Sequence, residues 1–358
     1  MEIILKDGGQ ATLLINASKM QLLKKIFFGL LILLVLGIIA LFFAFNTHVG
    51  IGEYEKWYEG IDTTPSVGTI KVQFAGVSTL LISDDSTHIL TDGFFSRFST
   101  QDMLFGKIEP QTADIQWAVD KMDITQLDAI LVVHSHFDHA MDAPEVAKLT
   151  GATMYGSEST ANIGRGWNLP ENQIKVFQSG VPLYFGQFKV TPILSNHFEF
   201  PDPEIKEQAL GGNQEITAPL VPPVPALAYK MGGAYTFLFE HPKGSFILQS
   251  SAGWKEGSLA GIQVDKVIMG VGGLGSQTEA YQATYFKELV DNVGATKVYL
   301  IHWDAFSGSI RQPIQGPSVF LDWYAGKTKQ SFQAIERETQ KRSEISIHLL
   351  PQWENVNF

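Results

Sequence analysis

The stretch His134-Ser-His-Phe-Asp-His139 decides how the rest of this sequence is interpreted. It follows the apolar run Ala129-Ile-Leu-Val-Val133, which predicts a buried strand, so the polar side chains come where a strand ends and the backbone turns. Three histidines and an aspartate suit a divalent metal, because imidazoles and carboxylates are the usual zinc or iron ligands where thiolates are absent. The alternative is a histidine-rich polar loop without a metal, but this one run holds three of the nine histidines in the chain.

The composition is that of a folded, acidic chain without cysteine. With 358 residues, 45% of them hydrophobic, the chain can bury the core of one large α/β domain or of two small ones. The formal net charge of -11 argues against a nucleic-acid partner bound without sequence specificity, since such binding relies on lysine and arginine neutralising phosphates. The lack of cysteine excludes disulfides and thiolate metal sites, and it fits an extracytoplasmic domain.

Residues 26 to 45 form an uncharged apolar run about as long as a bilayer-spanning helix requires. The run is longer than the core of a usual secretory signal and no small-residue cleavage site follows it, which predicts an uncleaved signal anchor. A buried core helix is the alternative, but it would need protein on every side. Lysines precede the run and glutamates outnumber lysine after it: Lys19, Lys24 and Lys25 come before, and Glu53, Glu55 and Glu59 follow with Lys56.

The positive-inside rule therefore predicts a single-pass protein of the cytoplasmic (inner) membrane. Residues 1 to 25 would be cytoplasmic, residues 46 to 67 a linker, and residues 68 to 358 one extracytoplasmic domain. Residues 1 to 19 have no clear pattern. Met20-Gln-Leu-Leu-Lys-Lys25 resembles the beginning of a signal anchor, which leaves open whether residues 1 to 19 belong to the native protein.

In the large domain, strand patterns alternate with helix patterns. Strands are predicted at residues 69–76, 78–83, 88–93, 129–133, 152–155, 187–195, 235–241, 245–249, 264–270, 296–301 and 345–350. Helices are predicted at residues 112–122, at 142–151 behind the capping-box pattern Asp142-Ala-Pro-Glu145, at 158–163, at 278–293 and, as a surface helix, at 331–342. This order predicts the α/β class.

Two segments bear on a site. The helix expected to begin near Asp142, just past the histidine run, would direct its positive N-terminal end toward bound anions or hydroxide. Residues 199 to 233 are rich in proline and glycine and predict a long irregular insertion. That insertion is either the wall of a substrate pocket, a segment that dips into lipid, or a surface excursion without a role.

Histidines recur at the ends of three predicted strands. His134 begins the first loop, His197 follows the strand at 187–195, and His302 follows the strand at 296–301. Functional groups of α/β folds often lie at strand ends. Three histidines at strand ends are therefore stronger evidence for a functional site than any single histidine.

At this point the sequence resembles the metallo-β-lactamase superfamily over about residues 68 to 350. The His-x-His-x-Asp-His signature is present without gaps, and the later histidines come in the expected order. In detail the chain resembles the branch with ascorbate-6-phosphate lactonases and the phospholipase D that hydrolyses N-acylphosphatidylethanolamine. The features behind this narrower resemblance are Phe74-Ala-Gly-Val-Ser-Thr79, Leu90-Thr-Asp-Gly93 and Ile301-His-Trp303.

The resemblance implies an αββα sandwich with metals at one edge, zinc being expected and iron or manganese being alternatives. It implies that the first metal is bound by His134, His136 and His197, and the second by Asp138, His139 and His302. Asp92 would orient a histidine from behind.

Ser251 departs from the family pattern, because it stands in Ser250-Ser-Ala-Gly253 where the family usually has a bridging aspartate. A neutral hydroxyl is a poor ligand, and two dications without a shared negative charge repel each other more strongly. We therefore expect one tightly held metal and a weaker second one. Asp304 or Asp142 is a candidate to compensate.

These expectations add up to a membrane-anchored, metal-dependent hydrolase of an ester, lactone or phosphodiester. Asp138 would complete the second metal site or, if that site is empty, orient the attacking water and take its proton. The substrate would be a small molecule, with lipid-derived compounds attractive because of the anchor. The main alternative is a non-catalytic metal- or partner-binding member of the same fold. Antibiotic β-lactamase activity is a weaker option, as one fold hosts many reactions.

Overall fold

The computed structural model describes residues 2–5, 11–14, 17–200, 203–210 and 214–358. Two compact units are present, residues 1–47 and residues 48–358. In the first unit, β1 (Glu2–Leu5) pairs antiparallel with β2 (Ala11–Leu14), a hairpin that the sequence does not predict. Helix α1 (Ala17–Asn46) follows and begins before the apolar run itself. By length and composition, Ser18–Asn46 could cross a membrane.

The second unit holds two seven-stranded sheets. The first has the order β16-β3-β4-β5-β6-β7-β8, in which β5 to β8 run parallel and the other pairs antiparallel. Its strands are β3 (Lys71–Gly76), β4 (Thr79–Ser83), β5 (His88–Thr91), β6 (Ala129–Leu131), β7 (Thr153–Gly156), β8 (Ile174–Val176) and β16 (Asn355–Asn357).

The second sheet has the order β15-β14-β13-β12-β11-β10-β9, with β12 to β15 parallel and the other pairs antiparallel. Its strands are β9 (Leu183–Phe185), β10 (Phe188–Ser195), β11 (Ala234–His241), β12 (Gly244–Gln249), β13 (Lys266–Gly270), β14 (Lys297–Ile301) and β15 (Ser346–Leu349). The strand predicted at 345–350 is therefore present but does not close the fold, since β16 follows it and pairs with β3 in the other sheet.

The α-helices of this unit lie mostly in the connections between strands. They are α2 (Thr100–Phe105), α3 (Thr112–Lys121), α4 (Phe137–Ala140), α5 (Ala143–Thr150), α6 (Glu158–Gly166), α7 (Pro203–Leu210), α8 (Glu279–Phe286), α9 (Val319–Leu321) and α10 (Thr328–Thr339). Helix α8 continues as the π-helix Lys287–Asp291, and short 3-10 helices include Gly52–Tyr58 and Ala226–Ala228.

Three apolar clusters fill the spaces between the layers, one between the two sheets and one between each sheet and its helices. In β6, Ala129 and Leu131 pack between the two sheets, whereas Ile130 packs on the side of α3 and α5. In β12, Leu248 packs between the sheets and Ile247 packs on the side of α8 and α10. Because both faces of these strands are buried, their sequences are continuous apolar runs rather than alternating ones. The α/β class and the αββα sandwich are confirmed.

Two predictions need correction. The insertion predicted at 199–233 is not irregular throughout, because it contains α7 and the 3-10 helix Ala226–Ala228. The helix predicted at 331–342 begins earlier, at Thr328, and is not simply a surface helix, since Phe332 and Ile335 are buried in the core. Phe332 packs against Tyr54 and Trp57 at ring-centroid distances of 4.8 and 5.2 Å, so residues 52–58 of the predicted linker pack within this unit.

The capping box predicted for α5 is absent. Asp142 has helical backbone angles and caps no backbone group of its own helix, although the helix does end at Gly151 with φ 74 as expected. The core positions predicted on the helix after residue 278 are confirmed: Phe286, Leu289, Val290 and Val293 are at most 1% exposed.

Candidate metal centre

Three loops at one edge of the sandwich carry the predicted ligands. The motif loop follows β6, and Val133 just before it is bonded to β11 through the Tyr235 amide. His197 follows β10, and His302 follows β14 with its amide N–H donating to the Val77 carbonyl at 2.7 Å. His302 has φ 58, in the left-handed region that non-glycine residues adopt rarely, so the end of β14 is a special turn that aims this side chain.

His134, His136 and His197 form one group of three donors that could hold a metal ion. Nε2 of His134 lies 3.1 Å from Nδ1 of His136, and the His197 ring lies 5.0 and 4.9 Å from the other two rings. Nδ1 of His197 lies 2.8 Å from the Phe198 carbonyl oxygen, which leaves Nε2 free to act as the donor.

Asp138, His139 and His302 form a second such group. Oδ2 of Asp138 lies 3.3 Å from Nε2 of His139 and 3.2 Å from Nε2 of His302. The two Nε2 atoms are themselves 3.2 Å apart. The groups are adjacent, since the rings of His134 and His139 have centroids 3.8 Å apart.

The donor set fits a divalent transition metal. Metal–nitrogen distances of about 2.0–2.1 Å place tetrahedral ligands roughly 3.3 Å apart. The separations of 3.1 to 3.3 Å within both groups are close to that value. Five imidazoles and one carboxylate are a zinc-type or iron-type set, in contrast to the all-oxygen sets of calcium and magnesium.

Electrostatics differ between the two groups. Burial and the neighbouring histidines hold the pKa of His134 and of His197 well below the usual range, so both imidazoles are neutral and able to bind a cation. Burial alone would lower the pKa of His139, but Asp138 and Asp92 outweigh it and raise that pKa to about 10. Burial likewise opposes ionisation of Asp138, yet His139 and His302 hold its pKa well below the usual value. The carboxylates Asp138 and Asp92 thus lie at the second group, where their charge is offset by that of His139.

Asp92 supports His139 from behind. Its Oδ2 lies 2.8 Å from Nδ1 of His139 and accepts a short hydrogen bond from Ser78, while its Oδ1 accepts the Val133 amide at 2.9 Å. Ser78 Oγ is also 2.8 Å from His139 Nδ1. Asp92 therefore contacts a predicted metal ligand, and its orienting role stays a prediction. Ser78 was missed as a site residue, although it lies within the stretch Phe74–Thr79 that carried the resemblance.

Neither suggested substitute for a bridging carboxylate lies in the two groups of the described chain. Asp142 accepts from the amides of Phe95 and Ser96 and from the Ser96 hydroxyl, which explains why it does not cap α5. Asp304 accepts the Val77 amide at 2.8 and 2.9 Å. Gly76 is needed beside it, since a Cβ there would lie 2.9 Å from Asp304 Oδ2. Both carboxylates are thus hydrogen-bonded to neighbouring backbone amides, and the suggestion that either compensates for Ser251 stays a prediction.

Ser251 is buried beside the first group rather than within it. Its hydroxyl accepts the Phe198 amide at 3.1 Å, and its carbonyl oxygen accepts from the Tyr285 hydroxyl at 3.1 Å. The hydroxyl thus holds the backbone that follows His197.

Comparisons with known proteins bear on the same loops. Residues 87–212 match the family model of the Beta-lactamase superfamily domain, a range that includes Asp92, the motif loop and His197. This part of the chain is similar to that domain. The family resemblance expected from the motifs is confirmed, whereas the narrower resemblance to lactonases and the phospholipase D stays a prediction. His302 lies beyond the matched range of the beta-lactamase superfamily domain.

Curated proteins similar to this chain include the UPF0173 metal-dependent hydrolases of Staphylococcus aureus strains JH9 and Newman. Each is 27% identical over 142 residues, which cover 33% of this chain and 55% of the relative. The chain thus matches about half the length of these relatives. Similar solved structures include Igni18, a metallo hydrolase of Ignicoccus hospitalis, with 13% identity, a TM-score of 0.49 and coverage of 81% of this chain and 98% of that one. The metallo-beta-lactamase fold protein YhfI of Bacillus subtilis has 14% identity, a TM-score of 0.45 and the same coverages, 81% and 98%.

Proposed function

We propose that this protein is a metal-dependent hydrolase that cleaves an ester, lactone or phosphodiester. The observation that carries the proposal is the pair of adjacent three-donor groups at one edge of the sandwich. The curated relatives named metal-dependent hydrolase support it. Zinc is the proposed metal, with iron or manganese as alternatives, because imidazole suits zinc and iron, and manganese prefers carboxylate ligands such as that of Asp138.

In this proposal His134, His136 and His197 bind the first metal, and Asp138, His139 and His302 bind the second. A bound divalent metal supplies a hydroxide at neutral pH and polarises the oxygen under attack. Asp138 either completes the second site or, where that site is empty, orients the water and takes its proton. For an ester, the water oxygen bonds to the acyl carbon, the bond to the leaving alkoxide breaks, and a proton passes to that alkoxide.

We further propose that one metal is held tightly and the other more weakly. Ser251 supplies no negative charge between the groups, and its hydroxyl is already bonded to the Phe198 amide. Two dications without a shared carboxylate repel each other with less compensation. Metal analysis after dialysis against a mild chelator tests this: one retained equivalent is expected, and two retained equivalents would contradict it.

The hydrolase proposal is tested with a panel of lactones, p-nitrophenyl esters and bis-p-nitrophenyl phosphate. Metal-dependent turnover of at least one class is expected in the full chain, and it should be lost in His134→Ala. The matched control is His241→Ala, which removes a buried histidine paired with Asp84 outside both donor groups. Absence of metal-dependent turnover on every class would instead favour a non-catalytic metal- or partner-binding protein, a reading that the neutral Ser251 also favours.

The apolar helix supports a further proposal, that the chain is a single-pass inner-membrane protein with its large unit outside the cytoplasm. Because the chain has no cysteine, single cysteines can be introduced and labelled on intact cells with an impermeant maleimide. Lys255→Cys, at an exposed position of the large unit, should be labelled, and Lys19→Cys should be labelled only after lysis. The reverse pattern would refute the topology.

A further inference from the structure

The short helical segment at residues 319–326 exposes several apolar side chains. It consists of α9 and of the π-helix Asp322–Gly326 that continues it. Val319, Trp323 and Tyr324 are all exposed, and Trp323 is 66% exposed. Three large apolar residues exposed within six positions form a patch, and such patches typically mark a surface that binds a partner or a membrane.

The segment has an inner and an outer face. Leu321 and Ala325, four positions apart, line a cavity of about 210 Å³. The same cavity is lined by the predicted metal ligands His136, Asp138, His197 and His302. Val319 and Trp323, also four positions apart, are exposed together with Tyr324 and form the outer face. One short segment is therefore both a wall of the cavity at the metal centre and an apolar surface patch.

The chain ties this segment to the end of the apolar helix α1. His48 and Ser318, the residue before α9, form an antiparallel β-bridge. Only Thr47 separates His48 from Asn46, the last residue of α1. Because consecutive Cα atoms are about 3.8 Å apart, the Cα of His48 lies within about 8 Å of that of Asn46, whatever the relative orientation of the two units. A bilayer spanned by α1 would therefore have its surface close to Ser318.

The outer face suits the boundary between lipid headgroups and acyl chains. Tryptophan and tyrosine are enriched at this boundary, because each has an apolar ring system and a polar end. The one charged residue from 319 to 326 is Asp322, whose carboxylate accepts the Thr328 amide at 2.7 Å. The outer face itself therefore presents no charged side chain to lipid.

We infer that the outer face lies on the bilayer into which α1 inserts, and that the cavity at the metal centre opens beside this surface. Leu227 lines the cavity and is 50% exposed, so it lies at the rim of the opening. A substrate dissolved in the membrane would reach the cavity past Leu227 and Leu321. The inference rests on the proposed membrane span and goes beyond the proposed hydrolysis.

Quenching of single fluorescent labels by spin-labelled lipid tests the inference. Because the chain has no cysteine, Trp323→Cys and Leu227→Cys each give the full chain one site for a nitrobenzoxadiazole label. The labelled chains are reconstituted in phosphatidylcholine vesicles with and without 5-doxyl phosphatidylcholine. Interfacial helices bury their apolar face about 5–10 Å deep, near the depth of this quencher, so both labels should lose at least about twofold in fluorescence.

The matched control is Tyr184→Cys. Tyr184 is also aromatic and is 69% exposed. It pairs with Lys189 in β10, six residues or about 20 Å along the strand from Ser195, which lies next to the loop of His197. The label at position 184 should therefore keep its fluorescence in the presence of 5-doxyl lipid.

Two results would overturn the inference. One is equal quenching of the labels at positions 323 and 184. The other is a label at position 323 that is shielded from aqueous iodide but not quenched by doxyl lipid, because protein, such as a second copy of the chain, would then cover the outer face.

A label in α1 separates this inference from the proposed membrane span. Leu33→Cys lies within the apolar run and should be quenched by 12-doxyl phosphatidylcholine if α1 crosses the bilayer. Quenching at position 33 without quenching at 323 and 227 would show that the chain is anchored and that the lipid-facing surface is wrong. No quenching at position 33 would refute the span, and the inference would fail with it.

Discussion

Replacing Asp92 with asparagine should weaken metal binding by the second donor group while leaving the fold intact. Asp92 is fully buried and has φ 56, a conformation that asparagine tolerates better than most residues, so the backbone should not change. The asparagine oxygen can still accept the Val133 amide, which lies 2.9 Å from Oδ1. The new NH2 group must then face Nδ1 of His139, which lies 2.8 Å from the second carboxylate oxygen.

The asparagine NH2 group and a protonated Nδ1 of His139 are both hydrogen-bond donors, so they cannot bond to each other. His139 would move its proton from Nδ1 to Nε2 in order to accept from the amide, and a protonated Nε2 cannot bind a metal. Loss of such an orienting partner typically weakens metal affinity or activity by about 10- to 100-fold. That factor corresponds to roughly 1.4 to 2.7 kcal/mol of binding free energy.

The measurement is a competitive chelator titration of the purified full chain with zinc. Asp92→Asn should release the equivalent bound by Asp138, His139 and His302 at about 10- to 100-fold lower chelator concentration. The equivalent at His134, His136 and His197 should titrate nearly as before.

The chain offers a matched control in Asp84→Asn. Asp84 is also buried, accepts two backbone amides and lies 3.3 Å from a histidine, His241. That histidine ends β11, about 23 Å along the strand from the end next to the motif loop. Both zinc equivalents should therefore titrate normally in the control. An unchanged titration curve in Asp92→Asn would refute the tautomer argument.

Two further predictions concern stability. Phe332→Ala should lower the free energy of unfolding in urea by about 3–5 kcal/mol, because Phe332 is fully buried against Tyr54 and Trp57. The control Phe105→Ala, at a side chain that is 80% exposed, should change this free energy by less than about 0.5 kcal/mol. Equal effects of the two substitutions would argue against this packing. Zinc present at about 100 times its Kd should stabilise the folded chain by about 2.7 kcal/mol, so chelation should lower Tm and added zinc should restore it. A Tm that changes with neither chelation nor added zinc would argue against a metal bound to the folded state.

Local sequence patterns were sufficient for much of the fold. Apolar runs predicted β6 and β14, which precede His134 and His302, since strands buried on both faces need continuous hydrophobic sequence. The strand β10 before His197 alternates between buried and more exposed residues instead. The sequence also predicted the histidine-bearing loop and the helix with Phe286 and Leu289 on one face, because both patterns depend on residue types only a few positions apart. The paired strands β1 and β2 and the helix α7 were not predicted, as none of these segments has a strong apolar period.

Interactions between segments far apart in sequence could not be predicted from local patterns. Asp142 looked like a helix cap because aspartate, proline and glutamate occur at capping spacing, but it accepts from the backbone of Phe95 and Ser96 instead. Capping statistics describe what a helix start prefers, and a distant loop with unsatisfied amides can compete for the same carboxylate. Asp304 was likewise committed to Val77 by the packing of two segments far apart in sequence.

The sequence by itself determined the α/β class, the apolar N-terminal helix and the run of candidate metal ligands at residues 134–139, because each depends on residue type and short spacing. Only the tertiary structure decided that His197 and His302 meet the motif loop as two separate three-donor groups, and that Ser251 bonds to Phe198. It also placed residues of both groups along one cavity. The physical reason is that strand order and loop closure are set by packing between distant segments, which no local periodicity records.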